Sequence, residues 1–353
     1  MMAAPDRDQH SQRQQADGRA NPLVMNDLHG ARVFLTGGAG FVGSHITDQL
    51  LAAGVSRIVI LDDLIRGRRE NLANAMTTGR VQLVVGDMCE RGLVDELMAG
   101  ADLVFHQAAL RITQCAEDPV RAIQVMIGGT QNVLEAAVRH KVKKVVAASS
   151  ASVYGEPSYL PMDEAHPFNN RTLYGAAKIA NEQMLRTYKE MYGLEYVALR
   201  PFNIYGPRMD VFGVYTEVMI RWLERLSRGE APVIFGDGTQ TMDFVFVTDV
   251  ARCNLLAMAA NVTDRVFNIG SGSETSLLEL CKLLCLEFGY ADMEPVFAPV
   301  RKVNPVTRRL AAVDQAREAL GFQAQVGLRD GLRQLIRWHA GVMASARVAE
   351  KVA

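Results

Sequence analysis

Two groups of residues in this chain have types and spacings that could do chemistry. The first is Thr36-Gly37-Gly38-Ala39-Gly40-Phe41-Val42-Gly43, with glycines at 37, 40 and 43. Placed after a strand and opening a helix, such a turn suits a dinucleotide. Gly37 allows the tight turn, Gly40 lets the backbone approach a pyrophosphate, and Gly43 lets the helix pack closely. The next apolar run ends in Asp62, where a carboxylate would accept bonds from adenosine ribose hydroxyls. That carboxylate disfavours a 2′-phosphate, so NAD is expected over NADP, although Arg66, Arg68 and Arg69 follow at once. Asp87 either meets the adenine amino group or caps the following helix, and the two readings are compatible.

The second group is Tyr174-Gly175-Ala176-Ala177-Lys178, a Y-x-x-x-K. Residues four apart share one helix face. Lys178 would therefore hold its ammonium near the Tyr174 phenol. With the charge of an oxidised nicotinamide, it would draw the phenol pKa toward neutral, as a general base requires. Ser149-Ser150 ends an earlier apolar run, where a hydroxyl could reach the same substrate oxygen.

The elements that must position these groups follow from the hydrophobic pattern. Short runs rich in Val, Ile and Leu recur at Arg32–Thr36, Arg57–Leu61, Val81–Val85, Leu103–His106, Lys144–Ser149 and Tyr196–Arg200. Continuous apolar runs of this length suit strands buried on both faces of a parallel sheet. Helical patterns separate them, among them Val120–His140 and Tyr174–Tyr192. The alternation predicts an α/β fold with a doubly wound parallel sheet. After Pro201 the loops lengthen. Helices are expected near Tyr215–Arg228, Leu277–Phe288 and Arg329–Trp338, with short strands at Val233–Phe235 and Asp243–Val247. The reading is a disordered extension over 1–29, a nucleotide-binding Rossmann domain over 30–200, and a smaller α/β substrate domain over 201–345. The stretch 243–262 returns to the first domain. The extension lacks the apolar core of a signal peptide, and Met25 is an alternative start.

Composition excludes other classes. The 38 Lys+Arg and 39 Asp+Glu leave a net charge of −1, which provides no basic field for nucleic acid or a membrane surface. No apolar run approaches the ~18–20 residues a membrane helix needs. The five cysteines are scattered and odd in number, so a reducing, cytoplasmic setting is expected over a disulfide scaffold. Cys281 and Cys285 read as core thiols, because no further ligand lies nearby, and no metal is expected. His106 reads as a structural histidine.

Taken together, T-G-G-A-G-F-V-G, L-D-D-L, H-Q-A-A, S-S-A-S-V-Y-G, Y-G-A-A-K, R-P-F-N-I-Y-G-P-R and F-G-D-G-T-Q resemble the extended short-chain dehydrogenase/reductase family. Within it, the likeness is to UDP-sugar 4-epimerases, over about residues 31 to 340. The resemblance implies Ser150, Tyr174 and Lys178 as catalytic residues. It implies a cofactor site of Gly37, Gly40, Phe41, Val42, Gly43, Asp62, Asp63, Asp87, Met88, Gln107, Ala108, Ala109, Arg111, Ser149, Tyr174, Lys178 and Phe202. Asn203 would bond the diphosphate of the substrate. From the residues alone, Thr216 is a candidate to face the sugar nucleotide, and Phe235, which opens a tight turn, is with Val233 a candidate to line the base pocket. The implied reaction is redox-neutral epimerisation of a UDP-hexose or UDP-hexuronate through a 4-keto sugar. The alternatives are a reductase, decarboxylase or dehydratase of the same substrate class, or an idle NAD-binding scaffold. Ala151 and Ser152 stand where dehydratases of the family carry an Asp-Glu pair, which disfavours loss of water. The helices 120–140 and 174–192 pair across a homodimer in relatives.

Two departures matter. Met126 replaces the Asn of a family N-V-x-G-T. Met242 replaces the Arg of Q-x-R-D-F that commonly clamps the diphosphate. Arg301, Arg308 and Arg309 are candidate substitutes; otherwise their run is a solvated basic loop.

Overall fold

The computed structural model describes residues 28–211, 217–300 and 307–352. In chain order, β1 (Arg32–Thr36), α1 (Phe41–Ala52), β2 (Arg57–Asp62), α2 (Ala73–Met76), β3 (Val81–Val85), α3 (Arg91–Met98) and β4 (Leu103–His106) come first. Helices α4 (Ile112–Glu117) and α5 (Pro119–Ile123), a π-helical stretch (Gln124–Gly129) and α6 (Thr130–Arg139) lead to β5 (Lys144–Ala148). Then come α7 (Leu173–Tyr192), β6 (Tyr196–Pro201), β7 (Asn203–Tyr205), α8 (Val218–Leu226), β8 (Val233–Phe235) and β9 (Thr241–Phe246). The chain closes with α9 (Val247–Ala259), β10 (Arg265–Ile269), β11 (Glu274–Ser276), α10 (Leu277–Phe288), β12 (Val296–Ala298), β13 (Arg308–Arg309), α11 (Asp314–Leu320) and α12 (Leu328–Val352).

Seven strands form one sheet in the order β10-β6-β5-β4-β1-β2-β3, every pair parallel. The order reverses between β1 and β4, and ligands bind beyond the carboxyl ends of strands at such a switch point. The sheet is doubly wound because both of its faces are apolar. Val33 and Leu35 of β1 enter a core with Ile46 and Leu50 of α1 and Val250 of α9. Phe34, between them, enters the opposite core with Val104, Val133 and Leu185. A smaller sheet joins β11, β9 and β13, with β7 pairing to β9, and β12 pairs with β8. Its core gathers Trp222, Leu280 and Leu332. Helix α9 packs on α1, β5 and β6, so 247–259 lies against the first sheet.

Three details differ from expectation. Leu28, inside the stretch assigned to the extension, is buried in the first core; residues 1–27 lie outside the described ones. The pattern 120–140 is not one α-helix. Asp118 caps α5 by accepting from Arg121 N–H, and the six-residue π stretch precedes α6. Gly129, read as a weak point, has a packing reason: a Cβ there would lie 2.8 Å from the Met88 side chain.

Candidate functional site

A cleft of about 2170 Å³ opens at the carboxyl ends of β1, β2, β4, β5 and β6 and is roofed by α8, β9 and α12. Single-ligand pockets run to about 1,000 Å³, so this one has room for two ligands of nucleotide size. Among the described residues no three His, Cys, Asp or Glu side chains gather as a metal site requires. None of the described helices is long and apolar enough to cross a membrane.

The nucleotide half is built from backbone. Gly37 has φ +70°, and a Cβ there would lie 2.7 Å from Ala108 N. At Gly43 a Cβ would come within 2.2 Å of the Gly37 carbonyl oxygen, so only glycine lets α1 start this close to β1. Gly40 is the helix N-cap and gives no side-chain cap, which leaves the first-turn N–H groups of α1 directed into the cleft. An anion fits there. Asp62 accepts from Ala39 N–H at 2.9 Å and from Leu64 N–H at 2.9 Å, so its carboxylate first pins the glycine turn. Burial raises its pKa, and those two bonds oppose the rise. Asp63, Gln107, Ala108, Ala109 and Met88 line the cleft. Gln107 also donates to Asn254 Oδ1 of α9 at 2.9 Å. Asp87 lines the cleft and pairs with Arg121. The residue capping α3 is Glu90, so the capping reading of Asp87 is replaced by a turn bond from Cys89 N–H. This donor set fits a dinucleotide: a glycine cradle, a bare helix end and a carboxylate at the end of β2.

The chemical half sits on α7. Thr172 accepts from Gly175 N–H at 3.1 Å and so starts the helix at Leu173, which puts Tyr174 in its first turn. Lys178 follows one turn on, its Nζ 5.9 Å from the Tyr174 ring centroid and donating to the Ala148 carbonyl at 2.5 Å. Burial lowers Lys178 to about 8, against the pull of Glu182. Burial raises Tyr174 above its ordinary value, and the opposing groups are a Ser150 hydrogen bond and the charges of Arg66 and Arg309. The Lys178 ammonium spends one of its donors on the β5 carbonyl. Ser149 lines the cleft, but its hydroxyl donates to Glu182 beneath the floor.

Glu182 also takes a two-point bond from Arg200, Nε to Oε1 at 2.8 Å and Nη2 to Oε2 at 2.6 Å. Arg200 reaches Tyr154 Oη, which donates to Asn268 Oδ1 at 2.6 Å. The sequence reading missed this network. Its signal was a lone arginine closing the apolar run YVALR and a glutamate one turn after Lys178. His106 lies between Thr36 Oγ1 at 2.7 Å and Thr130 Oγ1 at 3.0 Å, a satisfied structural histidine. Where the family Asn is replaced, the Met126 sulfur accepts the Leu110 N–H at 3.2 Å.

On the substrate side, Phe202, Asn203 and Phe235 line the cleft. Asn203 Nδ2 donates to the Asp243 carbonyl at 3.1 Å, tying β7 to β9. Two expectations are corrected. Val233 does not line the cleft; its carbonyl takes the Trp222 indole N–H at 2.8 Å. Arg308 turns outward to Glu274 at 2.5 Å, because side chains alternate along a strand, and Arg309 turns inward instead. Thr216 and Arg301 lie outside the described residues. Arg111 approaches Asp210 and Glu217 at 4.0 and 3.8 Å, and Arg66 approaches Asp210 at 3.5 Å. Arg208 Nη1, Gln240 Oε1 and Arg309 Nε, all on the cleft wall, are shut from solvent without a hydrogen-bond partner.

Comparison with known proteins agrees with this geometry. Residues 33–270 match the NAD dependent epimerase/dehydratase family. The UDP-glucose 4-epimerase of Mycolicibacterium smegmatis is 38% identical over 310 residues, covering 87% of this chain and 98% of that one. A UDP-glucose 4-epimerase of Thermotoga maritima, solved with UDP-glucose, superposes with TM-score 0.83 at 34% identity, covering 88% and 99% of the chains. A UDP-N-acetylglucosamine 4-epimerase of Methanobrevibacter ruminantium, solved with UDP-N-acetylmuramic acid, gives TM-score 0.84 at 30% identity, covering 89% and 100%.

Proposed function

The chain belongs to the NAD dependent epimerase/dehydratase family, and on that premise we propose that it is an isomerase, an NAD-dependent 4-epimerase of a UDP-sugar. The observation that carries this reading is one cleft with Ser150 and Tyr174 on its floor, a dinucleotide cradle at one end and Ala151-Ser152 in place of acids. Neither alanine nor serine can protonate a leaving hydroxyl near neutral pH. The likeness to UDP-sugar 4-epimerases supports the substrate class.

NAD, held by the cradle described above, would supply the reversible hydride acceptor that oxidation and reduction at C4 of the sugar require. The chain does the rest. Gly37, Gly40, Phe41, Val42, Gly43 and the start of α1 hold the pyrophosphate. Asp62 and Asp63 take the adenosine ribose, and Asp87 and Met88 border the adenine. Gln107, Ala108, Ala109, Arg111, Ser149 and Phe202 form the remaining wall. Tyr174 Oη removes the C4 hydroxyl proton. Ser150 Oγ aligns that oxygen and favours the phenolate, which burial alone would disfavour. Lys178, anchored on the Ala148 carbonyl, would hold the nicotinamide ribose and, with the charge of an oxidised nicotinamide, draw the phenol toward its phenolate. The sugar turns about its diphosphate link, and Tyr174 returns the proton. Asn203 and Phe235 hold the nucleotide end.

Five free cysteines support a reducing, cytoplasmic setting. Exposed Val120 and Ile123 on α5, with Met191 and Tyr192 at the end of α7, support a homodimer through these helices. Light scattering would report a single-chain mass if that is wrong.

The activity is tested by incubating the purified chain with a panel of UDP-sugars, with and without added NAD(H). Both C4 epimers should appear without net NADH. Tyr174→Phe should slow the reaction by about 10²–10⁴-fold while NAD still co-purifies. Stoichiometric cofactor consumption, or near-normal turnover in that variant, would remove the reading.

A further inference from the structure

The substrate reading leaves one charged group without a task. Arg309 stands on β13, in parallel register beside Met242 of β9. Its neighbour Arg308 is satisfied outside by Glu274. Arg309 faces the cleft, with Nε closed off from solvent and lacking any hydrogen-bond partner. Among the described residues, no carboxylate comes within ion-pair distance of it. Glu156 attracts it from farther off and is itself engaged by the Thr307 hydroxyl at 3.0 Å.

Position decides what this cation is for. Arg309 lines the same cleft as Ser150 and Tyr174, and its charge opposes the effect of burial on that phenol, which puts it toward the end where C4 reacts. The adenine end already has its own arginine–carboxylate pair, Arg121 with Asp87. The strand register sets the thioether of Met242 beside Arg309, and the same cleft is lined by Gln240, whose Oε1 is also unpartnered. An apolar neighbour weakens solvent screening and strengthens the call for an anion. A guanidinium is a planar fork that meets a carboxylate at two points. A neutral hexose would leave this fork desolvated and unpaired, which is the unfavourable arrangement for a shielded charge. A sugar acid brings the missing partner.

We propose that Arg309 reads a carboxylate carried on the sugar ring, so that the preferred substrate is a UDP-hexuronate and not a neutral UDP-hexose. This rests on the UDP-sugar reading above. The diphosphate is the other anion that could reach Arg309, and the experiment separates the two.

Initial rates would be measured on the purified full chain with UDP-glucuronate and with UDP-glucose, for the wild type, Arg309→Met and Arg309→Lys. The wild type should favour the uronate by at least about tenfold in kcat/KM. Arg309→Met should lower the uronate-to-hexose ratio by about a hundredfold, the scale of losing one buried charged partner. Arg309→Lys should keep part of the preference. No preference in the wild type overturns the proposal, whatever the variants do. An equal fall for both sugars also overturns it, and assigns Arg309 to the diphosphate. If neither sugar turns over, the epimerase reading fails separately. Calorimetric binding of UDP-glucuronate against UDP-glucose then gives the same ratio, and equal affinities would refute the role of Arg309.

Discussion

At the scale of single residues, His106 shows how a buried polar side chain is fixed by its partners. Burial first, and then the Lys178 charge, pushes its pKa down to about 3, so the imidazole is neutral in the fold. In the unfolded chain it would titrate near 6.5. Between pH 6.5 and 3 the unfolded state therefore binds the extra proton, and stability falls as pH falls through that window. Thermal melts of His106→Gln should show a shallower loss of Tm between pH 7 and pH 5 than the wild type. Parallel slopes would mean that His106 does not carry the effect. The residues legible in the sequence were those whose backbone demands a type, such as Gly37 and Gly43, or whose spacing defines a helix face, such as Tyr174 and Lys178. Arg308 against Arg309 was not legible, because the register of β13 on β9 decides which one faces inward.

At the scale of elements, the Glu182–Arg200 pair joins α7 to β6 directly beneath the reacting groups. Both side chains are about 4% exposed, so removing one partner leaves an unpaired charge out of water. Glu182→Leu should destabilise the fold by about 3–5 kcal/mol, and Glu182→Leu with Arg200→Met should recover much of that loss. Urea unfolding would measure both, and an additive double variant would deny the coupling. Strands β1 to β6 were read from sequence to within a residue, because apolar runs buried on both faces leave little ambiguity; β10, at the edge of the same sheet, was not read. The π stretch was not. Gly128-Gly129 signals a weakened α-helix, and nothing local to it reveals that Met88, forty residues earlier, needs the space over Gly129.

At the scale of the whole molecule, the cofactor half of the cleft draws on loops after β1, β2, β4 and β5, so a bound dinucleotide would link four crossovers. Stripping retained NAD should lower Tm, and adding it back at about a hundred times its Kd should restore about 2.7 kcal/mol. Scanning calorimetry at several NAD concentrations reads this directly, and a Tm indifferent to NAD would contradict the cradle. The path of the chain has one more outcome. Having left the seven-stranded sheet after β6, it pairs β7 with β9, returns to the first layer as α9 and β10, and crosses back for β11 and α10. A gene fragment ending at residue 201 would lack the edge strand β10 and the helix that covers α1. A fragment beginning there would carry a strand and a helix with nothing to lie on. The two layers are sewn together, and neither can be harvested by a single cut.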